Sequence, residues 1–222
     1  MLVFAHRGYH ATAPENTLAA FAAAADLGVD GVETDVRISA EGECILYHNR
    51  CAPDGRLVSS LRRDELSRAV GYEIASLADA LSQDWKLAWN LEVKTPAALE
   101  PLCTMLADVA LADRILFTSF HHPLVLDLVG RLGGEGGLLV AHRPLPAAPL
   151  PEPLPRLRTL VWDFETVDGE AIHAAAALGF RNFVYGALTP DEHTMLLRWG
   201  ADGTITDRPD LLALSGRQEG RP

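Results

Sequence analysis

Hydrophobic and polar positions along the chain alternate between two patterns. Short runs rich in β-branched and aromatic residues are typical of buried strands, and Ala- and Leu-rich stretches typical of helices separate them. This alternation predicts a parallel α/β fold. The predicted strands are Leu2–His6, Gly31–Ile38, Glu43–His48, Leu87–Lys94, Ile115–Phe120, Gly137–His142, Thr159–Phe164, Asn182–Tyr185 and Gly203–Thr206. The predicted helices are Glu15–Asp26, Leu77–Gln83, Ala97–Val109, Pro123–Leu132, Gly169–Leu178 and Pro190–Trp199.

The spacing between two of these runs decides which α/β fold is expected. Only Ser39–Gly42 separates Gly31–Ile38 from Glu43–His48, whereas a parallel crossover needs about a dozen residues or more. These two runs are therefore predicted to form an antiparallel hairpin, which leaves eight parallel strands. The sequence predicts a (β/α)8 TIM barrel with this hairpin extending the second strand. A doubly wound open sheet is the alternative, but no glycine-rich phosphate fingerprint follows the first strand.

The chain length predicts one domain, since 222 residues suit one full-sized core and are few for two. We expect the barrel to occupy residues 1–214 and residues 215–222 to form a C-terminal tail. Pro144–Pro155 is rich in proline, so a stiff extended connection is expected there between the fifth and sixth barrel strands.

The net charge of −11 narrows the range of partners. No cationic run exceeds the pair Arg62-Arg63, so neither nucleic acid nor an anionic membrane surface is expected as the main partner. A small phosphate ester needs only a local positive site. No apolar stretch approaches the roughly 18 residues of a membrane span, and Met1–Ala5 leaves no room for a signal peptide. Three scattered cysteines without a CxxC pair favour a reducing, cytoplasmic location, while the oligomeric state stays open.

Ionisable residues in the predicted strands cluster where the strands end, which is the catalytic face of such barrels. They are His6, Arg7, Glu33, Asp35, His48, Glu92 and Lys94. Because side chains alternate along a strand, Glu33 and Asp35 share one face of theirs. Glu92 and Lys94 have the same relation. The opposite, mostly apolar faces suit packing beneath helices, so the charged faces are predicted to line the barrel mouth.

The hairpin brings a histidine toward these carboxylates. With Ser39–Gly42 as the turn, Ile38 would oppose Glu43, and Glu33 would oppose His48. Directly opposed residues have Cβ atoms about 5 Å apart, so an imidazole is predicted beside the carboxylates. A slip of one residue at the turn would change this pairing.

Three carboxylates that converge at one point repel one another unless a cation lies between them. Oxygen ligation by Glu33, Asp35 and Glu92 favours a hard divalent ion, Mg²⁺ or Ca²⁺, over zinc. With Arg7 and Lys94 beside it, such a site suits phosphate. Two histidines then supply a base for an attacking hydroxyl and an acid for the leaving oxygen. A structural ion network inside the barrel is the non-catalytic alternative.

These residues resemble the sequence elements of a known family, the glycerophosphodiester phosphodiesterases. His6-Arg7-Gly8 and Pro14-Glu15-Asn16-Thr17 resemble its HRG and PENT elements. Glu33-Thr34-Asp35 resembles its E-x-D element, and Asn90-Leu91-Glu92-Val93-Lys94 resembles its N-x-E-x-K element. Ser119-Phe120 resembles its S-F element. The closing D-G and T-D-x-P elements are resembled by Asp202-Gly203 and by Thr206-Asp207-Arg208-Pro209. The matches run in order over nearly the whole chain.

The resemblance implies a barrel enzyme that binds one divalent cation, Mg²⁺ or Ca²⁺, and releases glycerol 3-phosphate from a small phosphodiester. By match, the acid–base pair is His6 and His48, the phosphate-binding residues are Arg7 and Lys94, and the metal ligands are Glu33, Asp35 and Glu92. The family's chemistry implies that the substrate's own glycerol hydroxyl attacks phosphorus and forms a cyclic phosphate, which water then opens.

Two departures from the family pattern affect the predicted site. Asn49 stands where the family usually has Asp, and an uncharged amide cannot favour an imidazolium at His48 by charge. Tyr185 and the three residues after it replace the family's tryptophan and Thr-Val-Asn, so the wall beside the alcohol group is expected to differ. We place Asn49, His121 and Tyr185 in the site wall or in contact with the catalytic groups. The histidines expected on the surface are His10, His173 and His193.

The sequence leaves three functions open. The first is hydrolysis of glycerophosphodiesters by an active enzyme. In the second, the same enzyme acts on a lysophospholipid or a sugar phosphodiester, with an apolar mouth favouring lipid. In the third, the barrel binds phosphate esters without turning them over, a hypothesis that Asn49 motivates.

Overall fold

A computed structural model of the protein describes residues 1–107, 114–143 and 153–213. The strands in these ranges are β1 (Leu2–His6), β2 (Gly31–Ile38), β3 (Cys44–Leu46), β4 (Ala88–Val93), β5 (Ile115–Ser119), β6 (Glu135–Val140), β7 (Leu157–Asp163), β8 (Arg181–Tyr185) and β9 (Gly203–Thr206). Eight of them are parallel in the order β1-β2-β4-β5-β6-β7-β8-β9, and the pairing of β9 with β1 closes the barrel. The predicted (β/α)8 barrel is confirmed, and β3 pairs antiparallel with β2.

Helices surround the barrel. Those in the described ranges are α1 (Leu18–Leu27), α2 (Arg63–Val70), α3 (Leu77–Leu81), α4 (Leu99–Leu106), α5 (His122–Leu132), α6 (Gly169–Ala177), α7 (Pro190–Trp199) and α8 (Asp210–Ala213), with short 3-10 turns at Val58–Ser60 and Pro96–Ala98. None of these helices has the length and apolar character that crossing a membrane requires. The proline-rich Pro144–Pro155 lies mostly outside the described residues, and the predicted tail 215–222 lies wholly outside them.

The predicted hairpin register is wrong by one residue. The expected partner of Ile38 is Glu43, but the structure pairs Ile38 with Cys44 and Val36 with Leu46. The third strand is also shorter than predicted, since the ladder extends only over Cys44–Leu46.

A shorter turn explains the shift. The connection is a three-residue loop, Ala40–Gly42, because the backbone N–H of Ser39 donates to the carbonyl of Glu43 at 3.0 Å. Gly42 has φ +79°, the left-handed conformation with which such loops end, and its N–H donates to the Ser39 carbonyl at 3.0 Å. The tighter turn displaces every later residue of the hairpin by one position.

The first helix starts later than the predicted Glu15–Asp26. Asn16 has φ +58°, which is incompatible with a right-handed helix. Thr17 then caps the helix, since its hydroxyl accepts a hydrogen bond from the N–H of Ala20 at 3.3 Å. Leu18–Leu27 is therefore helical, and the residues before it form a turn at the barrel mouth.

Aromatic rings fill the barrel interior below this mouth. Phe4 and Phe183 meet edge to face with ring centroids 5.5 Å apart. Glycine makes room for them, because a Cβ at Gly31 would lie 2.5 Å from the Phe4 ring and one at Gly203 would lie 2.3 Å from the Phe183 ring. The residues packed together here are Phe4, Leu139, Val161, Phe183 and Ile205. They provide an apolar floor for the charged residues above.

The opposite strand faces pack against the helices, as the alternation predicts. Val32 and Val36 of β2 are fully buried in the main core, as are Leu91 and Val93 of β4. Helix residues such as Phe21 join the same core. This outward packing turns the intervening carboxylates into the barrel mouth.

Candidate active site

A cavity of about 260 Å³ opens at the carboxyl ends of the barrel strands. It is lined by His6, Arg7, Glu33, His48, Asn90, Glu92, Lys94, Thr118, Phe120, Leu139, Tyr185 and Ile205. Most residues predicted for the site therefore share one cavity, with Asp35 buried directly beside it. Two predicted wall residues do not line it: His121 is exposed at the start of α5, and Asn49 is exposed beside His48.

Three carboxylates converge in the wall of the cavity. Glu33, Asp35 and Glu92 each offer an oxygen, and these oxygens all lie within 4.8 Å of one another. Burial, followed by the negative charges of Asp35 and Glu92, raises the pKa of Glu33 well above its usual value. Its Oε1 is buried and has no hydrogen-bond partner. A buried oxygen without a partner, in an excess of negative charge, fits a bound divalent cation.

Asp35 differs from its neighbours because two cations hold it ionised. Lys94 Nζ lies 2.8 Å from Asp35 Oδ1, and Arg7 Nε lies 3.2 Å from Oδ2. Burial acts to raise the pKa of Asp35, but Lys94 and Arg7 outweigh it and lower that pKa. Lys94 Nζ also donates to Glu92 Oε1 at 2.5 Å. The two predicted phosphate-binding cations are thus already placed against the predicted metal ligands.

Asn16 is a site residue that the sequence reasoning missed. It is 2% exposed, and its amide donates to Asp35 Oδ2 at 2.8 Å. Its Oδ1 accepts from Thr34 Oγ1 at 2.7 Å and from the Asp35 N–H at 3.2 Å. The PENT motif contains Asn16, but the predicted helix start at Glu15 does not allow for the left-handed turn that brings its side chain to Asp35.

The backbone of the HRG segment adds to this arrangement. Arg7 has φ +53°, and its N–H donates to Glu33 Oε2 at 3.2 Å. Its guanidinium reaches Glu15 Oε2 at 2.8 Å as well as Asp35. Gly8 follows with φ +79°, and a Cβ there would lie 2.8 Å from the Ala20 backbone. Only glycine lets this turn pack so closely on α1.

His6 is oriented by an aspartate from the far end of the chain. Its Nδ1 lies 2.7 Å from Asp207 Oδ1, and its Nε2 lies 3.8 Å from Glu33 Oε2. The hydrogen bond from His6 lowers the pKa of Asp207. An ionised carboxylate only accepts, so Nδ1 carries the proton and Nε2 is presented to the cavity. The T-D-x-P motif contained Asp207, but no local pattern paired it with His6.

Two histidines expected on the surface make hydrogen bonds with other parts of the chain. His10 is partly buried, and its Nε2 lies 3.0 Å from Asp207 Oδ1. His193 is 1% exposed, with Nδ1 2.7 Å from the Thr189 carbonyl and Nε2 3.1 Å from Thr206 Oγ1. The prediction is wrong for His193, because packing that its local sequence does not encode buries it, whereas His10 stays partly exposed and His173 is exposed as predicted.

His48 reaches the cavity although the shifted register removes it from its predicted position opposite Glu33. Its carbonyl accepts from Arg37 Nε at 3.0 Å and from Nη2 at 2.7 Å, which fixes the chain after β3. Its Nδ1 lies 3.2 Å from Asn49 Oδ1. Burial lowers the pKa of His48. The His48 ring therefore has a neutral partner, Asn49, whereas the His6 ring has a charged partner, Asp207.

The remaining wall of the cavity is largely apolar. Phe120 is 51% exposed at the mouth, while Leu139 and Ile205 are buried below it. Tyr185 completes this wall, and its hydroxyl donates to Asp163 Oδ2 at 3.0 Å. Burial, followed by the charge of Asp163, raises the pKa of Tyr185. The wall therefore offers shape and apolar contact without a titrating group at neutral pH.

Comparison with known proteins points to one family. A sequence profile described as the glycerophosphoryl diester phosphodiesterase family matches residues 6–211. The chain is 27% identical to a Mycobacterium tuberculosis protein named "Probable glycerophosphodiester phosphodiesterase 2", over 95% of this chain and 89% of that protein. It is 25% identical to a glycerophosphodiester phosphodiesterase of Bacillus altitudinis, over 94% of this chain and 95% of that one.

Solved structures share the fold. A phosphodiesterase from Oleispira antarctica, in complex with the product sn-glycerol-3-phosphate, superposes with a TM-score of 0.82 at 22% identity, covering 99% of this chain and 97% of that one. A glycerophosphodiester phosphodiesterase from Parabacteroides distasonis gives a TM-score of 0.81 at 19% identity, covering 99% and 98%.

Proposed function

The chain belongs to the glycerophosphoryl diester phosphodiesterase family and is a phosphoric diester hydrolase, and from this premise we propose how its site works. In the proposed reaction, one divalent cation assists hydrolysis of a glycerophosphodiester to glycerol 3-phosphate and an alcohol. The observation that carries the proposal is the buried carboxylate cluster in a cavity that His6 and His48 also line. Glycerol 3-phosphate bound as product in the Oleispira antarctica relative supports this product assignment.

Glu33, Asp35 and Glu92 would hold the cation, either Mg²⁺ or Ca²⁺. The donor set contains only carboxylate oxygens, which suits a hard ion, and the partnerless Glu33 Oε1 would gain a ligand contact. When bound, the ion supplies positive charge beside the phosphoryl oxygens, where negative charge develops in the transition state.

Arg7 and Lys94 would bind the phosphate. Both now neutralise Asp35, and Lys94 also contacts Glu92. A cation shared by the three carboxylates would take over that neutralising role. The guanidinium and ammonium groups would then donate hydrogen bonds to phosphate oxygens.

His6 and His48 would move the protons. One histidine removes the proton from the substrate's glycerol hydroxyl, whose oxygen attacks phosphorus. The other protonates the leaving alcohol oxygen as its bond to phosphorus breaks, which gives a cyclic phosphate. The histidines then exchange roles: one deprotonates a water that attacks phosphorus, and the other protonates the ring oxygen that leaves.

The deciding experiment is release of glycerol 3-phosphate from glycerophosphocholine and glycerophosphoethanolamine with Mg²⁺, with Ca²⁺ and with EDTA. We expect product only with metal and a loss of product in His6→Ala. Product in EDTA at the rate seen with metal would overturn the metal dependence. Metal binding without product from either substrate would overturn the assignment of these substrates.

The apolar wall favours a second candidate substrate, a lysophospholipid. Phe120 is half-exposed beside Leu139 and Ile205, so an acyl chain on the glycerol would find apolar surface at the mouth. Comparing lysophosphatidylcholine with glycerophosphocholine tests this candidate. A higher kcat/KM for the acylated substrate would support it, and a lower one would exclude it.

A further inference from the structure

A second cavity, of about 350 Å³, borders the catalytic one. Lys94 lines both cavities. The polar and charged groups of the second cavity are Arg37, Ser39, Arg50, Ser59, Lys94 and Thr95. We call it the arginine pocket.

The arginine pocket carries positive charge that no carboxylate in its lining balances. Arg50 is exposed, and its guanidinium has no ion pair or hydrogen bond within the described parts of the chain. Arg37 uses Nε and Nη2 on the His48 carbonyl, which is uncharged. The chain as a whole has 30 acidic and 19 basic residues, so an unbalanced pair of guanidinium groups runs against its composition.

Hydroxyl groups in the pocket are also free to donate. Ser39 Oγ accepts from the N–H groups of Glu41 and Glu43, both at 3.3 Å, so its proton is not used in those bonds. Thr95 Oγ1 likewise accepts from the Ala97 N–H at 3.4 Å. Two guanidinium groups with neighbouring hydroxyl donors form a site suited to an anion with several oxygens.

The position of the pocket links it to catalysis. Arg37 lies two residues after Asp35 on β2, and Arg50 lies two residues after His48. Arg37 also joins the two segments through the His48 carbonyl. The pocket thus lies on the side of the catalytic cavity that His48 and Lys94 form, away from the apolar wall.

We propose that the arginine pocket binds an anionic group carried by the leaving alcohol, so that the enzyme prefers phosphodiesters with an acidic head group. This inference rests on the proposed function, because it requires the scissile phosphate to be bound by Lys94 beside the carboxylate cluster. Arg50 provides the charge that recognises the head group. Arg37 supplies a second guanidinium, which its hydrogen bonds to the His48 carbonyl hold in place.

Glycerophosphoserine and glycerophosphoethanolamine test the proposal, because they differ by a single carboxylate. We expect wild-type kcat/KM to favour the serine compound. In Arg50→Gln the ratio of the two kcat/KM values should fall roughly fivefold to tenfold, the effect of about 1 kcal/mol from an exposed charge pair. Arg158→Gln is the matched control, since Arg158 is exposed at the start of β7, at the opposite end of the barrel. It should leave the ratio unchanged.

Binding separates this inference from the proposed function. With His6→Ala to prevent turnover, calorimetry in Mg²⁺ should show tighter binding of glycerophosphoserine and loss of that difference when Arg50→Gln is added. Equal affinity for both compounds, or a ratio that Arg50→Gln does not change, would overturn the arginine pocket. Absence of turnover on both compounds in the wild type, with the binding difference intact, would overturn the proposed reaction and leave the pocket supported.

Discussion

The barrel mouth has two halves that differ in chemistry. The charged half lies at the ends of β1, β2 and β4 and in the hairpin, and it contributes His6, Arg7, Glu33, Asp35, His48, Glu92 and Lys94. The apolar half lies at the ends of β5, β6, β8 and β9, and it contributes Phe120, Leu139, Tyr185 and Ile205. The proposed metal- and phosphate-binding groups thus come from the first 94 residues, and the later strands line the apolar side of the cavity.

The halves also differ in how their side chains are held. In the charged half, ion pairs and left-handed backbone at Arg7 and Asn16 fix each group, and the pKa of Glu33 depends on its neighbours. In the apolar half, packing holds the buried Leu139 and Ile205, and Tyr185 with Asp163 forms a polar contact there. A substitution in the charged half should therefore disturb several groups together, whereas one in the apolar half should stay local.

The largest effect is expected from Glu33→Gln, which removes a predicted metal ligand while keeping its size. Several kcal/mol of transition-state stabilisation should be lost, so we expect glycerol 3-phosphate release to fall by about 1,000-fold. Metal affinity measured by calorimetry should fall with it. Glu135→Gln, at the other end of the barrel on β6, is the matched control. Wild-type metal affinity in Glu33→Gln would contradict the assignment.

The second-largest effect is expected from Asp207→Asn, which should lower kcat by about 100-fold. The amide no longer holds the proton on Nδ1 of His6 by charge, so the ring loses its fixed tautomer. Although Asp207 follows β9, it supports His6 of the charged half, whereas Asp163 supports Tyr185 of the apolar half. Asp163→Asn should therefore lower kcat by about threefold or less. Equal losses in the two variants would remove the distinction between the halves.

Asn16→Ala should lower both stability and activity. It breaks the hydrogen bonds to Asp35 and Thr34 and places alanine at φ +58°, so we expect about 2 kcal/mol less free energy of unfolding in urea. Activity should fall about tenfold as Asp35 loses its support. Asn16→Gly also removes the side-chain hydrogen bonds, but glycine adopts φ +58° without strain. Comparing the two variants separates the loss of hydrogen bonds from backbone strain. If Asn16→Gly matched the wild type in both measurements, the side-chain bonds would have no role.

Phe120→Ala should have the smallest effect on catalysis. Phe120 is half-exposed at the mouth and carries no charge, so kcat for glycerophosphocholine should change by about threefold or less, with any loss appearing in KM. Steady-state kinetics on this substrate measures it. A fall in kcat as large as that in Asp207→Asn would show that the apolar half takes part in the chemistry.

Sequence periodicity predicted the fold and the members of the carboxylate cluster. Glu33 and Asp35 lie two residues apart on a strand, as do Glu92 and Lys94, so each pair had to share a face. The hairpin was predictable because four residues cannot form a parallel crossover. Its register was not, since the left-handed conformation of Gly42 makes a three-residue loop from a segment that also permits four.

By itself the sequence determined the number of barrel strands and the residue types that gather at their ends. Both follow from local features, namely the alternation of side chains along each strand and the lengths of the connections between strands. Tertiary structure alone decided which groups support them. Asp207 meets His6 across 201 residues because β9 pairs with β1, and Asn16 reaches Asp35 because a turn replaces the expected helix start. Such contacts depend on barrel closure and backbone conformation, which no local pattern of hydrophobic and polar residues encodes.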